Sequence, residues 1–470
     1  MYLCKIFLNI NLRYIFAMAK IIKIKKGLNI NLKGAADKIV VNGLNISEYA
    51  VKPTDYIGVR PKMLVAEGDA VKAGTPLFFN KNNESVIFTA PVSGTVKAIR
   101  RGEKRVIQEV VIETSGEKQY EMFGTANPLQ LSKQDIIDKM LKSGVWTLLR
   151  QRPFATIADP ATEPKAIFVS GFDTAPLAPD YDLLLHGRGE AFQAGLDALS
   201  KLTNGKVHLS LNPKMNFSGV FTNAKNVEMH YFEGKHPAGN VGVQISHIDP
   251  INKGDIVWVV NPQDVATIGT LFTEGVYRPE KIIALCGSSI QKPQYYRVYA
   301  GACIQSLVES QLAEQNVRFI SGNVLTGTKI AKDGFLGAFD NQITVIPEGD
   351  KYEFMGWLTP GLSKFSFSHT FLSGFTNKLG SKKEYEVDTN MHGERRAYVV
   401  TGEYEKVLPM NIYPMQLIKA CVIGDIDEME ALGIYEVEPE DMALCEFIDT
   451  SKTEIQTIIR EGLESIRREM

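Results

Sequence analysis

Two stretches near the N-terminus share one pattern, short apolar segments cut by glycine turns, and this pattern limits the possible folds more than any other feature. Val59 to Phe79 reads VRPKMLVAEGDAVKAGTPLFF, and Val86 to Ile99 reads VIFTAPVSGTVKAI. The first contains G-D-x-V-x-x-G (Gly68, Asp69, Val71, Gly74); the second contains A-P-x-x-G-x-V (Ala90, Pro91, Gly94, Val96). Gly68-Asp69, Gly74 and Ser93-Gly94 punctuate the apolar residues too closely for a helix and predict short strands joined by tight turns. Asn80 to Ser85 is then the hairpin between two halves.

Together the halves resemble a biotinyl/lipoyl-type barrel-sandwich domain. A carrier domain of that kind presents a modified lysine in the central hairpin. Lys81 is the only lysine there, in Asn80-Lys81-Asn82-Asn83-Glu84-Ser85, and it lacks the flanking Met or Asp-Lys-Ala context. It reads as a solvated hairpin lysine, with a carrier-domain protein kept as the alternative.

The chain has 470 residues, enough for about three domains. Hydrophobic residues at 44% and charged residues at 23% exclude a disordered chain. Lys+Arg 52 against Asp+Glu 54 gives a net charge of −2, so nothing argues for a nucleic-acid partner. No stretch approaches the roughly 18 unbroken apolar residues of a membrane helix. Cys4, Cys286, Cys303, Cys421 and Cys445 include no C-x-x-C pair, which argues against a zinc, iron–sulfur or dithiol site. Met1 to Ala17 looks superficially like a signal peptide, but Asn9, Asn11 and Arg13 interrupt its apolar run. It reads as an extension upstream of a start at Met18.

Farther along, SKQDIIDKMLKSG predicts a helix capped by Ser132, with Ile136, Ile137, Met140 and Leu141 on one face and Gly144 ending it. Ala166 to Ser170 predicts a buried strand. Arg188 to Thr203 predicts a helix with Phe192, Leu196, Leu199 and Leu202 in a stripe and an Asp197–Lys201 pair, and Lys206 to Leu211 predicts a second strand. Strand, helix, strand is an α/β unit with a parallel sheet. Gly187-Arg188-Gly189 starts a dinucleotide pattern that Phe192 spoils, and Gly322 to Lys329 misses a P-loop by one position, so neither NAD nor ATP is assigned. Ile282 to Leu307 suits a small β-grasp module. Phe354 to Phe375 is rich in aromatic residues, facing either a partner or its own domain. Ser451 and Glu454 predict a capping box before a helix striped by Ile455, Ile458, Ile459, Leu463 and Ile466. The expected domains are 18–115 (barrel-sandwich), 116–255 (Rossmann-like α/β), 256–340 (β-grasp of the SLBB kind) and 341–470 (C-terminal, ending in helices), an α/β multidomain chain.

PKMLVAEGDAVKAG, FTAPVSGTV, KAIFVSGFDTAPLA, HPAGNVG, NPQDVATIGTLF, NQITVIPEGD, FMGWLTPGLSKFS and DMALCEF, in that order, resemble the A-subunit family of the sodium-translocating NADH:quinone reductases (Na+-NQR). The resemblance runs from Met18 to the C-terminus. It is distant to the C subunit of the Rnf complex and to the NADH-binding flavoprotein subunit of respiratory complex I. It implies a peripheral, quinone-associated subunit on the cytoplasmic face of the bacterial inner membrane, partnered by the complex's other subunits, one of them integral to the membrane. NADH, FMN, FAD, riboflavin and iron–sulfur chemistry fall to those partners, with ubiquinone as substrate of the whole. The relatives' glycine-rich flavin loop is replaced after Gly144 by Val145-Trp146-Thr147-Leu148-Leu149-Arg150-Gln151-Arg152-Pro153-Phe154, whose bulk keeps backbone away from a flavin phosphate. With the cysteine clusters also missing, an Rnf-type electron-transfer subunit is the weaker alternative. No catalytic or metal-binding residue is assigned. If quinone touches this chain, the vacated flavin region offers Trp146, Arg152 and Phe154, aromatic surface with one donor, and Tyr56 stands second.

Overall fold

The computed structural model describes residues 20–114, 116–350, 353–356, 358–374 and 383–469. The extension read at Met1 to Ala17 lies outside them, as do Trp357 and Phe375 of the aromatic run.

The glycine-punctuated halves fold into two small facing sheets. One orders Glu48–Val51, Ile107–Thr114, Gly94–Arg101 and Ala70–Val71; the other orders Pro61–Met63, Pro76–Asn80 and Asn83–Thr89. Alternate residues turn inward, so Phe78, Val86, Phe88, Val96, Val110 and Ile112 are buried. Phe78 and Phe88 pair across strands and stack with centroids 4.5 Å apart. A Cβ at Gly94 would sit 2.1 Å from the Glu113 carbonyl oxygen, which is why glycine stands in the second motif. Lys81 is exposed at the hairpin.

The middle of the chain builds a seven-stranded sheet ordered Ile21–Ile24, Glu228–Gly234, Val207–Leu211, Ala166–Ser170, Val257–Val259, Arg150–Arg152, Thr156–Ile157. The first five run parallel and the last two form an antiparallel edge. From Ala166–Ser170 the chain moves one way to Val207–Leu211, and later returns on the other side as Val257–Val259. The strand order therefore reverses between these neighbours, the point where doubly wound sheets open a crevice. The crossover helix Gly189–Ser200 and the helix Pro262–Thr273, which leads on to the next sheet, touch backbone to backbone. A Cβ on Gly269 would lie 1.6 Å from the Ala191 carbonyl oxygen, and one on Gly195 2.0 Å from that of Val265. The helix Lys133–Ser143 starts at a capping box of Ser132 and Asp135 and ends on Gly144 at φ 81°. The stripe of Phe192, Leu196, Leu199 and Leu202 is buried as expected. Asp197, however, accepts from Gln193 Nε2 (2.7 Å) and Asn226 Nδ2 (2.8 Å) instead of pairing with Lys201.

The β-grasp module is a six-stranded mixed sheet, Thr328–Ile330, Val317–Ser321, Gln342–Pro347, Glu280–Cys286, Gln294–Tyr299, Asp37–Val41, with the short helix Gln305–Val308 beside it. Its membership, with that of the parallel sheet, shifts the domain limits expected from the sequence. Ile21–Ile24 and Asp37–Val41 precede the barrel-sandwich in sequence but pair with the other two sheets. Val257–Val259 and the helix after it belong to the parallel sheet's domain rather than following a break at 255/256. Gln342–Pro347 likewise belongs to the β-grasp sheet, past the break expected at 340/341. Partners from tens to hundreds of residues apart decide these pairings, and local pattern carries no record of them.

The C-terminal helices Pro414–Ile423, Ile426–Ala431, Ala443–Ile448 and Ile455–Glu469 pack around Met415, Leu417, Ile418, Met429, Cys445, Ile455, Ile459, Leu463 and Ile466. The capping box expected of Ser451 and Glu454 does not form. The Ser451 hydroxyl donates to the Ala397 carbonyl (2.9 Å), Glu454 pairs with Arg395, and the helix's Gln456 N–H donates instead to Glu446 Oε2 (2.8 Å). In the aromatic run Phe354 is 91% exposed, whereas Phe365 packs on Tyr385 and Phe447.

Candidate functional site

Where the strand order reverses, a cleft of about 370 Å³ opens over the C-terminal ends of Ala166–Ser170 and Val257–Val259. Ser170, Phe172 and Asp173 leave the first strand into it; Val259, Val260 and Asn261 leave the second. The β-grasp module adds Phe339 and Asn341, and the C-terminal region adds Glu440 and Arg460. Three parts of the chain thus enclose one volume, within the roughly 300–1,000 Å³ typical of small-molecule sites.

Its lining is largely polar, with Asp55, Asp173, Asp340 and Glu440 beside Arg150 and Arg460, and Phe172, Val259, Val260 and Phe339 supply a smaller apolar patch. The Arg150 guanidinium lies over the Phe339 ring, 5.0 Å from its centroid. Arg460 Nη1 donates to the Phe154 carbonyl (2.8 Å). The Tyr181 hydroxyl accepts from Asn261 Nδ2 (3.4 Å) and Asn341 Nδ2 (3.3 Å), and burial raises its pKa. His236 is 4% exposed, its Nδ1 3.2 Å from the Thr174 hydroxyl. Burial pushes its imidazole down to about 4, so it is neutral at ordinary pH. Asp173 is raised by burial, against the pull of backbone N–H groups of Ala175 and Thr174. The cleft offers guanidinium donors, a neutral imidazole, several carboxylates and one apolar patch. Chemically it suits a neutral ring that bears carbonyl acceptors.

The four residues singled out in the sequence cluster beside this cleft, but their side chains do not line it. Trp146 is fully buried, donates Nε1–H to the Ala158 carbonyl (2.8 Å) and meets Trp258 edge to face at 5.4 Å. Arg152, 2% exposed, is held by three carboxylates: Nε is 3.2 Å from Glu438, Nη2 2.6 Å from Glu440 and Nη1 2.8 Å from Asp441. Burial alone would lower its pKa, but those acids more than offset it and raise it. Burial likewise pushes Glu438 and Asp441 up, while Arg152 and Arg150 outweigh burial at Glu440 and hold it down. Each guanidinium nitrogen has a carboxylate within 3.2 Å and the side chain is almost wholly buried, so Arg152 is turned to the fold rather than to the cleft. Phe154 adopts φ 85°, costly for a bulky side chain, and rests edge-on against Tyr435 at 6.2 Å. Tyr56 lies edge-on to Phe88 (4.8 Å) and Phe339 (5.4 Å), its hydroxyl raised well above the usual range by burial.

The immediate neighbours of these residues do face the cleft: Asp55 and Ile57 flank Tyr56, and Arg150 and Ala155 flank the Arg152–Phe154 turn. Sequence reading passed over Arg150, Asp173, Tyr181, His236 and Arg460. The one signal available for part of this set was position directly after two buried parallel strands.

Family models for three NqrA regions match in order: the N-terminal barrel-sandwich hybrid domain over residues 22–115, the second alpha/beta domain over 131–277 and the C-terminal domain over 282–332. These matches, the three-part fold and its switch-point cleft define a multidomain reductase subunit of the NqrA type. The A subunit of the Na(+)-translocating NADH-quinone reductase from Yersinia pseudotuberculosis is 41% identical over 453 residues, 95% of this chain and 100% of that one. Its namesake from Neisseria meningitidis serogroup B is 42% identical with the same coverage, and that from Pasteurella multocida 39% identical over 451 residues, 95% of this chain and 100% of that one. The chain belongs to this NqrA family, and is a subunit of that translocase. Among solved structures, the air-oxidized NAD+-reducing NiFe-hydrogenase covers 75% of this chain and 67% of its own at 11% identity, with a TM-score of 0.37, too loose a match to add to this.

Proposed function

We propose that this subunit is peripheral to the membrane, docks on an integral partner at the cytoplasmic face of the bacterial inner membrane, and seats a quinone head group in the switch-point cleft. No helix among the described residues is long and apolar enough to cross a membrane, which is consistent with attachment through a partner. The observation that carries the reading is the cleft itself: within a largely polar lining, Arg150 and Arg460 supply N–H donors, and Phe172, Val259, Val260 and Phe339 supply an apolar patch against which a ring can lie. Tyr56, Trp146, Arg152 and Phe154 form the packing behind that lining. NADH oxidation, FMN, FAD, riboflavin and iron–sulfur groups reside in partner subunits, and this chain carries none of them.

Replacing Arg150 by Gln should weaken labelling of this chain by a photoreactive quinone analogue in the assembled complex. Trp146→Phe, which alters only a buried contact, should leave labelling unchanged. Equal labelling in both variants would place the quinone elsewhere. The purified chain should show no flavin absorption, and a flavin band that persists through purification would revive the electron-transfer alternative. Its intact mass should match the unmodified sequence, whereas an added mass at Lys81 would revive the carrier-domain alternative.

A further inference from the structure

On the opposite end of the parallel sheet, far from the strand tips that form the cleft, three side chains converge. The register of Val207–Leu211 with Glu228–Gly234 sets His208 directly opposite Glu228. His230, two residues beyond Glu228 on the same strand, projects from the same face of the sheet. One donor atom from each of the three lies within 4.8 Å of the other two. His208 Nδ1 is 2.9 Å from His230 Nε2, and His230 Nε2 is 3.7 Å from Glu228 Oε1.

We propose that His208, His230 and Glu228 form a binding site for a divalent cation of the zinc class. Zinc–nitrogen and zinc–oxygen bonds of about 2.0–2.2 Å in a tetrahedral arrangement put ligand atoms roughly 3.3 Å apart. The observed 2.9 and 3.7 Å bracket that spacing, so these two pairs need shifts of only a few tenths of an ångström, roughly, while the His208–Glu228 pair closes from within 4.8 Å. Two ring nitrogens facing each other at hydrogen-bond distance share a proton, and a cation replaces that proton while keeping both lone pairs engaged. Two imidazoles and one carboxylate leave a fourth position for water, the donor set of an open zinc site.

The surroundings hold the ligands in place. Phe168, the strand neighbour of His208, stacks on its ring with centroids 4.7 Å apart. Lys206 pairs with Glu228 Oε2, which leaves Oε1 turned toward the imidazoles. His208 is buried, whereas His230 and Glu228 are half-buried, so the ion has a path from solvent. The lysine's positive charge opposes a cation, but its side chain is 68% exposed and water screens it. A bound ion would clamp the two neighbouring strands at their N-terminal ends.

The test uses the full-length chain stripped with a chelator and titrated with Co2+, whose ligand-field absorption reports tetrahedral coordination, followed by displacement with Zn2+. One equivalent should bind. Loss of an outer-shell partner already costs about 10–100-fold in affinity. Loss of a direct ligand in His208→Gln or His230→Gln should therefore weaken binding at least about tenfold. Glu228→Gln, at the more exposed rim, should also weaken it and guards against a buried variant that fails to fold. A Co2+ band that survives in the His230→Gln and Glu228→Gln variants, or no band in the parent chain, overturns the proposal and leaves a plain histidine–histidine hydrogen bond.

Discussion

Replacing Arg152 by Met tests whether this arginine is held for the fold or for a ligand. Its guanidinium meets Glu438, Glu440 and Asp441 at 3.2, 2.6 and 2.8 Å, and Asp441 is fully buried. Removing the cation leaves carboxylates buried without compensation, a change that costs about 3–5 kcal/mol. At about 2–4 °C per kcal/mol for a unit of 150–250 residues, the melting transition of the parallel-sheet and C-terminal region should fall by roughly 10 °C. The loss should depend on pH. Burial already pushes Glu438 and Asp441 up, and without Arg152 only the weaker pull of Arg150 on Glu438 and of the Glu438 N–H on Asp441 remains. The folded variant then binds protons that the unfolded chain does not, so its stability rises and its deficit shrinks as pH falls from neutral toward the ordinary carboxylate range of about 4. Adding Glu438→Gln and Asp441→Asn should recover most of the loss. Thermal melts of parent, single and triple variants across that range provide the measurement. A deficit below about 1 kcal/mol, or one independent of pH, would refute the reasoning and return Arg152 to the set of candidate ligand donors.

Gly242→Ala would place a Cβ 2.2 Å from Asp441 Oδ2 and 2.4 Å from Arg152 Nη1, so it should cost about 1–3 kcal/mol, with a smaller penalty in the Arg152→Met background. The pKa of His236 is depressed from 6.5 to about 4, so the neutral folded form loses stability as pH falls through that window. The loss should reach about 3 kcal/mol at most, and melts of His236→Gln should show a flatter acid limb. Trp146→Phe should cost about 1 kcal/mol in chemical unfolding for the lost bond to Ala158, with quinone labelling intact.

Local chemistry made several elements legible. The Ser132 cap and Gly144 stop delimit their helix, and the glycine motifs foretell the two facing sheets. The site was less legible because the reversal of strand order creates it. Residues near 55, 150, 173, 236, 260, 340, 440 and 460 meet only once the parallel sheet is assembled. Arg152 shows the limit most clearly. In sequence it is a lone guanidinium in a loop that has lost its glycines, and the acid that neutralises it, Asp441, lies 289 residues later in Glu438-Pro439-Glu440-Asp441. Ser451 and Glu454 fit a capping pattern, yet tertiary contacts with Ala397 and Arg395 outcompete it.

The most direct test of the quinone assignment is photolabelling of the assembled complex with a quinone analogue, followed by peptide mapping of this chain. The cleft predicts labelled peptides that cover Arg150 to Ala155, Ser170 to Tyr181 or Phe339 to Gln342, all suppressed by excess unlabelled quinone. Labelling confined to partner subunits, or on this chain only at surfaces away from those segments, would contradict it.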